Sequence, residues 1–586
     1  MSKNSILEKN FGIIIFSILG ILVIPQQFFI SNLDELGSDL VLLIFPLALC
    51  FSVICLGMLL KLSYSKQLFF AGLGFSIIIC DQFFGPELKN LDGSAYTINI
   101  DPVIAVANSL VYFGIPFLLV YSKERFKKQL IELTYISIAL ALGLTVYSSS
   151  AALFFNQVGA NVDVKKRSPN EINPTAKDLP NIYFFWLDAM QTNYMEKFLS
   201  QENRKENFAG FTLFKNNSSN YVNTKQSYAS FMSGIIYKNG DAKEWQAQRP
   251  DDLRRALKKY GYNINSYIKK IFISPLDDHT KTSADLLRAG TKIKHPYITD
   301  FGTYWVVRSL PGIFAKKSLK RGSEFGKFLH DLVNLTSNYS HVKTILDGIE
   351  PLSGVFVLKQ SLKDEESRKN QGQFVLIHAL IPHGPYVIDK DCKYRGPVNG
   401  KSKQSYSEQV ECAGKSVIKF LDKLKEKGRY ESSMIIVMGD HGSPLGGPMQ
   451  LENIKRKKPL EKRFSNWDKA GVVSRVSALL MIKQPYSSPQ EKFKTSLKES
   501  QLVDIHPTIL SSIGATELIR PNIDGVDLFT EATPNRSKYF TFFMESNSIP
   551  VHKALIYDIS YSPTGGITDV KYRGKLYNGP KFSGGF

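Results

Sequence analysis

The sequence contains none of the motifs by which proteins bind nucleic acid, although the chain of 586 residues carries a net charge of +20. It has no zinc-finger spacing, no RNP-type aromatic motif and no basic helix. Internal repeats and low-complexity tracts are also missing. The positive charge therefore indicates anionic partners of other kinds, with phospholipid headgroups and phosphorylated substrates ahead of nucleic acid.

Charged residues are almost absent from five long apolar segments in the first part of the chain. Each segment is close to the ~20 residues that cross a bilayer as a helix. No small-residue cleavage site follows the first segment and further segments come after it, which argues against a cleavable signal. We therefore predict five transmembrane helices, near Phe11–Ile30, Leu40–Leu60, Gln67–Phe84, Pro102–Tyr121 and Leu130–Phe155.

The loops between these segments alternate in charge, which a buried helical domain of a soluble protein would not require. Lysine or arginine precedes the first segment and fills the second and fourth loops, whereas the first and third loops are mostly acidic. Because positive loops stay on the cytoplasmic side, we predict a cytoplasmic N-terminus. Five crossings then place all residues after Phe155 on the outer face of a bacterial inner (plasma) membrane, in the periplasm or outside the cell.

Cysteine is scarce, with five residues in the whole chain. Cys50, Cys55 and Cys80 lie in the apolar segments and are expected to act as small apolar residues. The outer part of the chain contains only Cys392 and Cys412. An even pair in an oxidising compartment predicts a disulfide between them.

Composition divides the chain into four regions. We predict a transmembrane domain over 1–156, a polar, proline-containing linker over 157–180, an α/β domain over 181–545, and a C-terminal tail over 546–586 that packs on it. Continuous apolar runs in the α/β region suit strands buried on both faces of a sheet, and they alternate with helix-length segments. The pattern predicts a doubly wound, mostly parallel sheet. We interpret 277–339 as an insertion packed beside this core.

Polar side chains follow the apolar runs where the predicted strands end. Asp188 ends the first strand, His378 and His383 lie at the end of another, and Asp440–His441 follow a third. The carboxyl ends of parallel strands meet at one edge, which is where functional residues lie in such sheets. The alternatives are structural: an aspartate can cap the next helix, and a lone histidine is usually a satisfied core residue.

Thr224 lies in a polar turn before a stretch of small and apolar residues that is predicted to form a buried helix ending at Gly234. A helix start offers unpaired N–H groups and the positive end of the dipole, which suit an anionic ester. The alternative is a threonine N-cap without chemistry.

Four of these groups form a set of nitrogen and oxygen donors that suits Zn²⁺, or Mn²⁺ if the site is looser and wetter. They are Asp188, Asp440, His441 and the hydroxyl of Thr224. A bound divalent cation would lower the pKa of the hydroxyl and allow Thr224 to attack a phosphoryl group in line. His383 or His378 would then hold an oxygen or protonate the leaving group.

Residues 181–529 resemble the alkaline phosphatase superfamily, in its sulfatase-like branch. The stretch TKQSYASFMSG from Thr224 is similar to the sulfatase signature, with Thr224 at the position of the modified nucleophilic cysteine. Asp440-His441-Gly442 matches the DHG metal motif of the family, and Asp188 stands at the first metal-binding acid. The resemblance implies an alkaline phosphatase-like fold and a divalent metal at these residues.

Five spans followed by an outer catalytic domain resemble lipoteichoic acid synthase and the lipid A phosphoethanolamine transferases. That likeness implies a threonine nucleophile, a phospholipid donor of phosphoglycerol or phosphoethanolamine, and a glycan or glycolipid acceptor. In HALIPHGPY, His378 and His383 are similar to the paired positions of the transferase HxxGSHGP motif. The likeness implies that His383 binds the transferred phosphate.

The sequence departs from both patterns. The transferases usually have glutamate where this chain has Asp188, whereas sulfatases need a cysteine or serine that can become formylglycine, which Thr224 cannot. Tyr228 replaces the arginine of the sulfatase signature, so Lys225 is either an alternative source of positive charge or a solvated side chain.

The preferred hypothesis is a membrane-anchored phosphotransferase with a phosphothreonine intermediate. A sulfatase or phosphodiesterase that passes the same group to water is the first alternative. A non-catalytic envelope protein with a degenerate domain is the second.

Overall fold

The structure is a computed structural model that describes residues 6–32, 41–84, 102–122, 125–160, 179–201, 204–237, 245, 248–291, 301, 305, 308–311, 350–368, 372–395, 403–443, 469–488, 490–530, 539–543 and 554–576. The chain divides into two compact units. The helical unit comprises 1–163 and 292–347, and the α/β unit comprises 164–291 and 348–586.

The helical unit is built from long apolar helices. Four of its described helices are long and apolar enough to cross a membrane: α1 (Ile6–Ser31), α2 (within Val41–Leu59), α4 (within Pro102–Tyr121) and α5 (within Lys127–Ala160). The helix α3 (Tyr64–Phe84), the predicted third span, is not among them. It carries Gln67 and Asp81 on buried positions, which lowers its apolar character. The described residues thus give four candidate spans where the sequence predicted five, and helix α5 includes 157–160 of the predicted linker.

Helix α1 is the most buried of the candidate spans and packs against α2, α3 and α5, whereas α4 packs on α3. Close packing against α3 requires a glycine, since a Cβ on Gly12 would fall 1.8 Å from the carbonyl oxygen of Gln67. Small residues at such crossings let helix backbones approach. The outward faces of the other helices expose large apolar side chains such as Phe51, Leu110 and Phe117. Exposed apolar surface of this extent is consistent with membrane anchoring.

Part of the predicted insertion belongs to the helical unit. Arg308 Nε lies 2.5 Å from Asp81 Oδ1, and the Trp305 and Phe45 rings lie 6.2 Å apart. Strand β5 (His279–Thr282) and the helix Ser283–Thr291, by contrast, belong to the α/β unit. The insertion is therefore divided between the two units. Arg308 belongs with the helical unit because the carboxylate of Asp81, buried among apolar helices, requires a cation beside it.

An eight-stranded sheet forms the centre of the α/β unit. In spatial order its strands are β5, β4 (Asn263–Ile268), β6 (Gln373–Ala379), β1 (Ile182–Leu187), β7 (Met434–Met438), β8 (Leu480–Lys483), β2 (Phe211–Phe214) and β9 (Lys494–Ser496). All strands run in the same direction except β8, which is antiparallel to both of its neighbours. This arrangement confirms the prediction of a mostly parallel sheet. Strands β3 (Asn217–Ser218) and β10 (Ser500–Gln501) form a separate parallel pair.

Helices cover both faces of the sheet, as the continuous burial of β1, β6 and β7 requires. On one face, Phe184 stacks on Phe231 with ring centroids 5.7 Å apart. On the other, Phe185 packs edge-on against Phe420 at 5.0 Å. The helices are α6 (Thr192–Leu199), α7 (Thr224–Ser233), α8 (Asp251–Lys259), α9 (Ser283–Thr291), α10 (Glu350–Asp364), α11 (Lys403–Glu426), α12 (Lys469–Val476) and α13 (Ile505–Ser512).

The C-terminal region adds a separate antiparallel sheet of β11 (Tyr539–Phe543), β12 (Ala554–Tyr561) and β13 (Ile567–Leu576). The turn between β12 and β13 contacts the region that follows β2. Gly566 N–H donates to Asn216 Oδ1 at 2.8 Å, and the Tyr561 hydroxyl donates to Ser218 Oγ at 3.3 Å. The described part of the tail therefore packs on the α/β unit.

Candidate metal centre

Asp188 lies one residue beyond β1 and is held by the neighbouring strand, because its N–H donates to the Ala379 carbonyl at 3.0 Å. Ala189 then takes a left-handed conformation with φ 64°, which turns the chain sharply. Helix α6 begins only at Thr192, with Gln191 at its N-cap position. Asp188 is consequently not a helix cap, and its carboxylate is available to the site.

The loop after β7 brings Asp440 and His441 against the turn that follows β1. Two glycines make this approach possible. A Cβ on Gly439 would fall 2.2 Å from the Met190 carbonyl oxygen, and one on Gly442 would fall 2.0 Å from that of Ser474. A larger residue at Gly439 would push this loop away from the turn after β1, and one at Gly442 would push it away from α12, which contains Ser474.

The ligand atoms of Asp188, Asp440 and His441 lie within 4.8 Å of one another, and all three residues are buried. His441 Nε2 is 3.4 Å from Asp440 Oδ2 and 3.9 Å from Asp188 Oδ1. The Thr224 hydroxyl lies 3.2 Å from the same Nε2 atom. Four residues from three distant parts of the sequence therefore lie together at the carboxyl edge of the sheet.

Thr224 is the first residue of α7, with Asn223 as the N-cap in an extended conformation. The eight residues that follow Lys225 in this helix are all buried, and Gly234 ends it in the left-handed conformation. Ser219 reinforces the loop before the helix by donating its hydroxyl to the Asp440 carbonyl at 2.7 Å. Thr224 itself is half-buried, so its hydroxyl is held at the edge of a buried cluster with access to solvent.

The two carboxylates each leave one buried oxygen, Asp188 Oδ1 and Asp440 Oδ2, without a hydrogen-bond partner among the described residues. Their other oxygens are used, since Asp440 Oδ1 accepts the Ala189 N–H at 3.0 Å. Buried polar atoms are normally satisfied, and two unsatisfied oxygens aimed at one imidazole fit a divalent cation. The donor set suits a metal ion, and Asp188, Asp440, His441 and Thr224 are the residues that would hold it.

The electrostatics of the two acids differ. Burial acts to raise the pKa of Asp188, but His383, a hydrogen bond from His378 and His441 together hold that pKa below its usual value. Burial and the adjacent Asp188 charge raise the pKa of Asp440 well above its usual value. The ligand oxygens of the two carboxylates lie within 4.8 Å of each other, so their negative charges repel, and a cation between them would remove that repulsion.

His441 is neutral in this environment. Burial and then the charge of Arg475 lower the pKa of His441 well below its usual value. Nδ1 lies 3.0 Å from the Gly442 carbonyl and 2.6 Å from Arg475 Nη1. Because a guanidinium can only donate, Nδ1 accepts from Arg475 in this arrangement. Metal binding through Nε2 requires the proton on Nδ1, donated to the Gly442 carbonyl, with Arg475 Nη1 donating to the same carbonyl at 3.2 Å instead. Arg475 lies in α12, and no motif in the sequence marks it.

His378 does not occupy the substrate-binding position predicted for it. Its side chain is fully buried, with Nε2 3.2 Å from Asp188 Oδ2 and the ring stacked on Trp186. Burial lowers the pKa of His378, so the ring is neutral and Nε2–H donates to the carboxylate. The reason for the correction is geometric: His378 is the penultimate residue of β6 and faces Asp188 from within the core, whereas His383 lies in the loop beyond.

His383 lies at the exposed side of the site, with its ring centroid 6.4 Å from that of His441. Its Nδ1 donates to the Gly384 carbonyl at 2.5 Å, and its own carbonyl accepts Gln409 Nε2–H at 2.9 Å. The same loop is joined to α11 by a disulfide between Cys392 and Cys412. Gln409 and the disulfide therefore both fix the His383 loop to α11.

Lys225 is exposed next to Thr224 and makes no described contact with the cluster. Tyr228, which stands where the sulfatase signature has arginine, is buried and accepts a hydrogen bond from Arg254 Nη1. His506 is also buried and donates Nδ1–H to the Met232 carbonyl at 2.9 Å, which makes it a packing residue.

Comparison with known proteins agrees with this site. The sulfatase family model matches residues 195–515, more than half of the chain, and that range includes Thr224, His383, Asp440 and His441. The chain belongs to the sulfatase family, within the alkaline phosphatase superfamily. Enzymes of this superfamily usually use a divalent metal ion, and the cluster supplies matching ligands.

Several solved structures are similar to this chain at low identity. A phosphonate monoester hydrolase from Silicibacter pomeroyi is 13% identical, with 67% of this chain and 88% of that chain covered at a TM-score of 0.42. The phosphonate monoester hydrolase of Agrobacterium radiobacter is 14% identical, with 68% and 88% covered at 0.39. A 2-O GAG sulfatase is 11% identical, with 67% and 85% covered at 0.41. No curated protein matches the sequence.

Proposed function

We propose that this protein is a membrane-anchored phosphotransferase of the sulfatase family that uses Thr224 as its nucleophile. The donor is a phospholipid, and the group moved is its phosphoryl headgroup, phosphoethanolamine or phosphoglycerol. The acceptor is a hydroxyl of an envelope glycan or glycolipid. The observation that carries the proposal is the position of the Thr224 hydroxyl, 3.2 Å from His441 Nε2 and beside two buried carboxylates with unused oxygens.

The reaction divides into two displacements at phosphorus. Thr224 Oγ1 loses its proton and attacks the phosphodiester, the bond from phosphorus to the diacylglycerol oxygen breaks, and that oxygen takes a proton. The acceptor hydroxyl then loses its proton and attacks the threonine phosphoester, the bond from phosphorus to Thr224 Oγ1 breaks, and Oγ1 takes a proton to restore the alcohol. A divalent cation held by the four ligands, Zn²⁺ or Mn²⁺, would supply Lewis acidity and neutralise negative charge in both steps.

The chain's own residues account for proton transfer and orientation. His383 is the ionisable group on the exposed side of the cluster, within reach of a leaving or attacking oxygen that enters from solvent. Asp188 and Asp440 hold their positions through His378 and the Ala189 N–H. Thr224 is also the first residue of α7, and the positive end of the helix dipole favours a phosphoryl anion there.

Two features favour phosphorus over sulfur chemistry. Thr224 cannot be converted to formylglycine, the nucleophile that sulfatases need. Tyr228 replaces the signature arginine, and its buried hydroxyl is occupied by Arg254. A threonine alkoxide can attack phosphorus directly and needs no modification.

The apolar helices support a lipid donor. A headgroup at the bilayer surface and a catalytic unit anchored to the same bilayer meet at a high effective concentration. The net charge of +20 favours an anionic membrane surface in addition.

The test is intact-mass analysis of the full chain in detergent after incubation with mixed phospholipids and either Zn²⁺ or Mn²⁺. We expect a mass increment of one headgroup phosphate on Thr224, none in Thr224→Ala, and a retained increment in Lys225→Gln as the neighbouring control. Addition of an acceptor glycan should remove the mass increment from the protein, and the glycan should then carry the same increment. Release of the headgroup to water at the same rate without acceptor would instead support the hydrolase alternative. No increment, with no metal bound and full function in Thr224→Ala, would support the non-catalytic one.

A further inference from the structure

A second concave surface lies in the α/β unit, apart from the metal ligands. It is a groove of about 520 Å³, within the roughly 300–1,000 Å³ range of small-molecule sites. Helix α6 forms one wall, and the turn between β12 and β13 forms another. We call it the lysine groove, after its lining residues Lys197, Lys205 and Lys215.

The lysine groove opens on the same edge of the sheet as the metal centre. Strands β2 and β7 run in the same direction with β8 between them, so Lys215 and Asn217 follow β2 at the edge where Asp440 follows β7. Two strand spacings separate these positions, about 10 Å. Two lining residues, Thr192 and Asn217, are held together at the floor, because Thr192 Oγ1 and Asn217 Nδ2 both donate to the Ala478 carbonyl, at 2.9 and 3.0 Å.

The charge of the groove is positive. Lys215 is compensated by Glu196 at 2.9 Å and also donates to the Thr564 carbonyl. Lys197 and Lys205 are exposed and have no carboxylate partner in the part of the chain that the structure describes. Two uncompensated ammonium groups at one opening attract an anion.

The remaining lining combines hydroxyl and amide side chains with the aliphatic side chains of Leu199, Leu213 and Ile567. The hydroxyl and amide groups both donate and accept hydrogen bonds, as the binding of sugar hydroxyls requires. One of them, Asn193, has a buried Oδ1 with no hydrogen-bond partner among the described residues. A single aromatic ring, Phe493, lines the groove and offers a flat apolar face to a sugar ring. The hydroxyl and amide residues are Thr192, Asn193, Ser200, Asn217, Ser477 and Thr495.

We propose that the lysine groove binds an anionic oligosaccharide and holds it along the carboxyl edge of the sheet, so that a neighbouring hydroxyl reaches the metal centre. Its identification as the acceptor site rests on the proposed function, whereas binding of the saccharide does not. The negative groups of the saccharide, phosphates or uronic carboxylates, pair with Lys197 and Lys205, and the sugar ring packs on Phe493.

The test measures binding of labelled hexagalacturonate, and of a phosphorylated maltohexaose, to the full chain in detergent by fluorescence anisotropy. Thr224→Ala serves as the background, so that turnover does not contribute. We expect K197Q/K205Q to raise the dissociation constant of at least one probe by about tenfold, as two partly exposed charge pairs would. The probe that responds identifies the anionic group. F493A should weaken the same probe, and unmodified maltohexaose should bind far more weakly.

The matched control is K259Q/K419Q, which removes two exposed lysines of the same unit outside the groove and should leave the dissociation constants unchanged. Equal losses in both double variants, or equally tight binding of hexaglutamate or a thymidine hexanucleotide, would overturn the saccharide assignment in favour of non-specific attraction of polyanions. In the active enzyme, K197Q/K205Q should raise the KM for the acceptor. An unaltered KM beside altered binding would overturn the acceptor role and leave the threonine intermediate untouched.

Discussion

The imidazole of His378 lies almost parallel to the indole of Trp186, with ring centroids 3.7 Å apart and an angle of 21° between the planes. Trp186 in turn stacks on Tyr228 at 5.0 Å. The orientation of His378 is therefore fixed by rings on the core side of the sheet, and its Nε2–H is directed at Asp188. His378 is a positioning residue for the first metal acid.

Replacing His378 by phenylalanine retains the stacking but removes the hydrogen bond to Asp188. We expect affinity for Zn²⁺ or Mn²⁺ to fall by about 10–100-fold, the usual cost of losing a partner of a metal ligand. Competition with a chelating dye measures the change. His378→Gln, which restores an N–H donor, should recover part of the affinity. Wild-type affinity in His378→Phe, with the fold intact by circular dichroism, would contradict the positioning role.

The two unsatisfied carboxylate oxygens predict that a metal ion stabilises the wild-type chain far more than Asp440→Asn. In the metal-free protein, the amide removes repulsion with Asp188, so the variant should unfold at a higher temperature than the wild type. Saturating metal should stabilise the wild type by several kcal/mol, about 2.7 kcal/mol at a hundredfold excess over Kd. The variant should gain little. Thermal unfolding with EDTA and with metal measures both effects.

Asp527→Asn is the control, because Asp527 is outside the cluster and bonds only within its own turn. It should respond to metal as the wild type does. A metal-free Asp440→Asn protein that is less stable than the wild type would show that the two acids are not in conflict, which would contradict the site as described.

Much of the α/β unit could be predicted from the sequence because its signals are local. The run 434–438 is apolar at every position, and β7 has those same bounds. Asp188, Asp440 and His441 could be assigned to one edge because chain direction in a parallel sheet decides which strand ends meet. The role of Thr224 as the first residue of a buried helix also follows from the small and apolar residues behind it.

The residues that were misplaced or missed depend on tertiary contacts. Two nearby histidines differ in their environment, since His378 at the end of β6 is buried, whereas His383, five positions further along the chain, is partly exposed. Arg475 reaches His441 from α12, a helix with no sequence motif. The contact between Arg308 and Asp81 joins positions more than two hundred residues apart, so periodicity alone could not assign that segment to the helical unit.

A fully buried ion pair predicts an unequal response to single and double substitutions. Arg254 Nε lies 2.8 Å from Asp277 Oδ1, and neither side chain is exposed. Asp277→Leu removes the nearest carboxylate from the buried guanidinium, with Asp251 Oδ1 4.0 Å away, and should lower the free energy of unfolding by about 3–5 kcal/mol. Arg254→Met with Asp277→Leu should recover much of that loss. Denaturant unfolding of the four proteins in a double-mutant cycle measures the coupling.

Arg255 offers the control one residue further along α8. Its side chain is 60% exposed and pairs with Asp252 at 3.2 Å, so Arg255→Met should cost no more than about 1 kcal/mol. Equal costs at the two positions would mean that Arg254 is solvated in solution, which contradicts its burial here.

The disulfide predicts a link between redox state and the His383 loop. Cys392 and Cys412 are 20 residues apart in sequence, and a crosslink over a loop of that length stabilises a folded chain by about 3 kcal/mol. Replacing both cysteines with serine should lower the free energy of unfolding of the α/β unit by about that amount. It should also reduce kcat, because the loop that carries His383 would lose its covalent link to α11 and keep only hydrogen bonds and ion pairs such as those of Gln409 and Glu408. Dithiothreitol should give the wild type the same deficits and leave the double variant unchanged, since Cys50, Cys55 and Cys80 are already free thiols. A loss of stability without a loss of kcat would separate the crosslink from the site and show that the non-covalent contacts of the loop suffice to position His383.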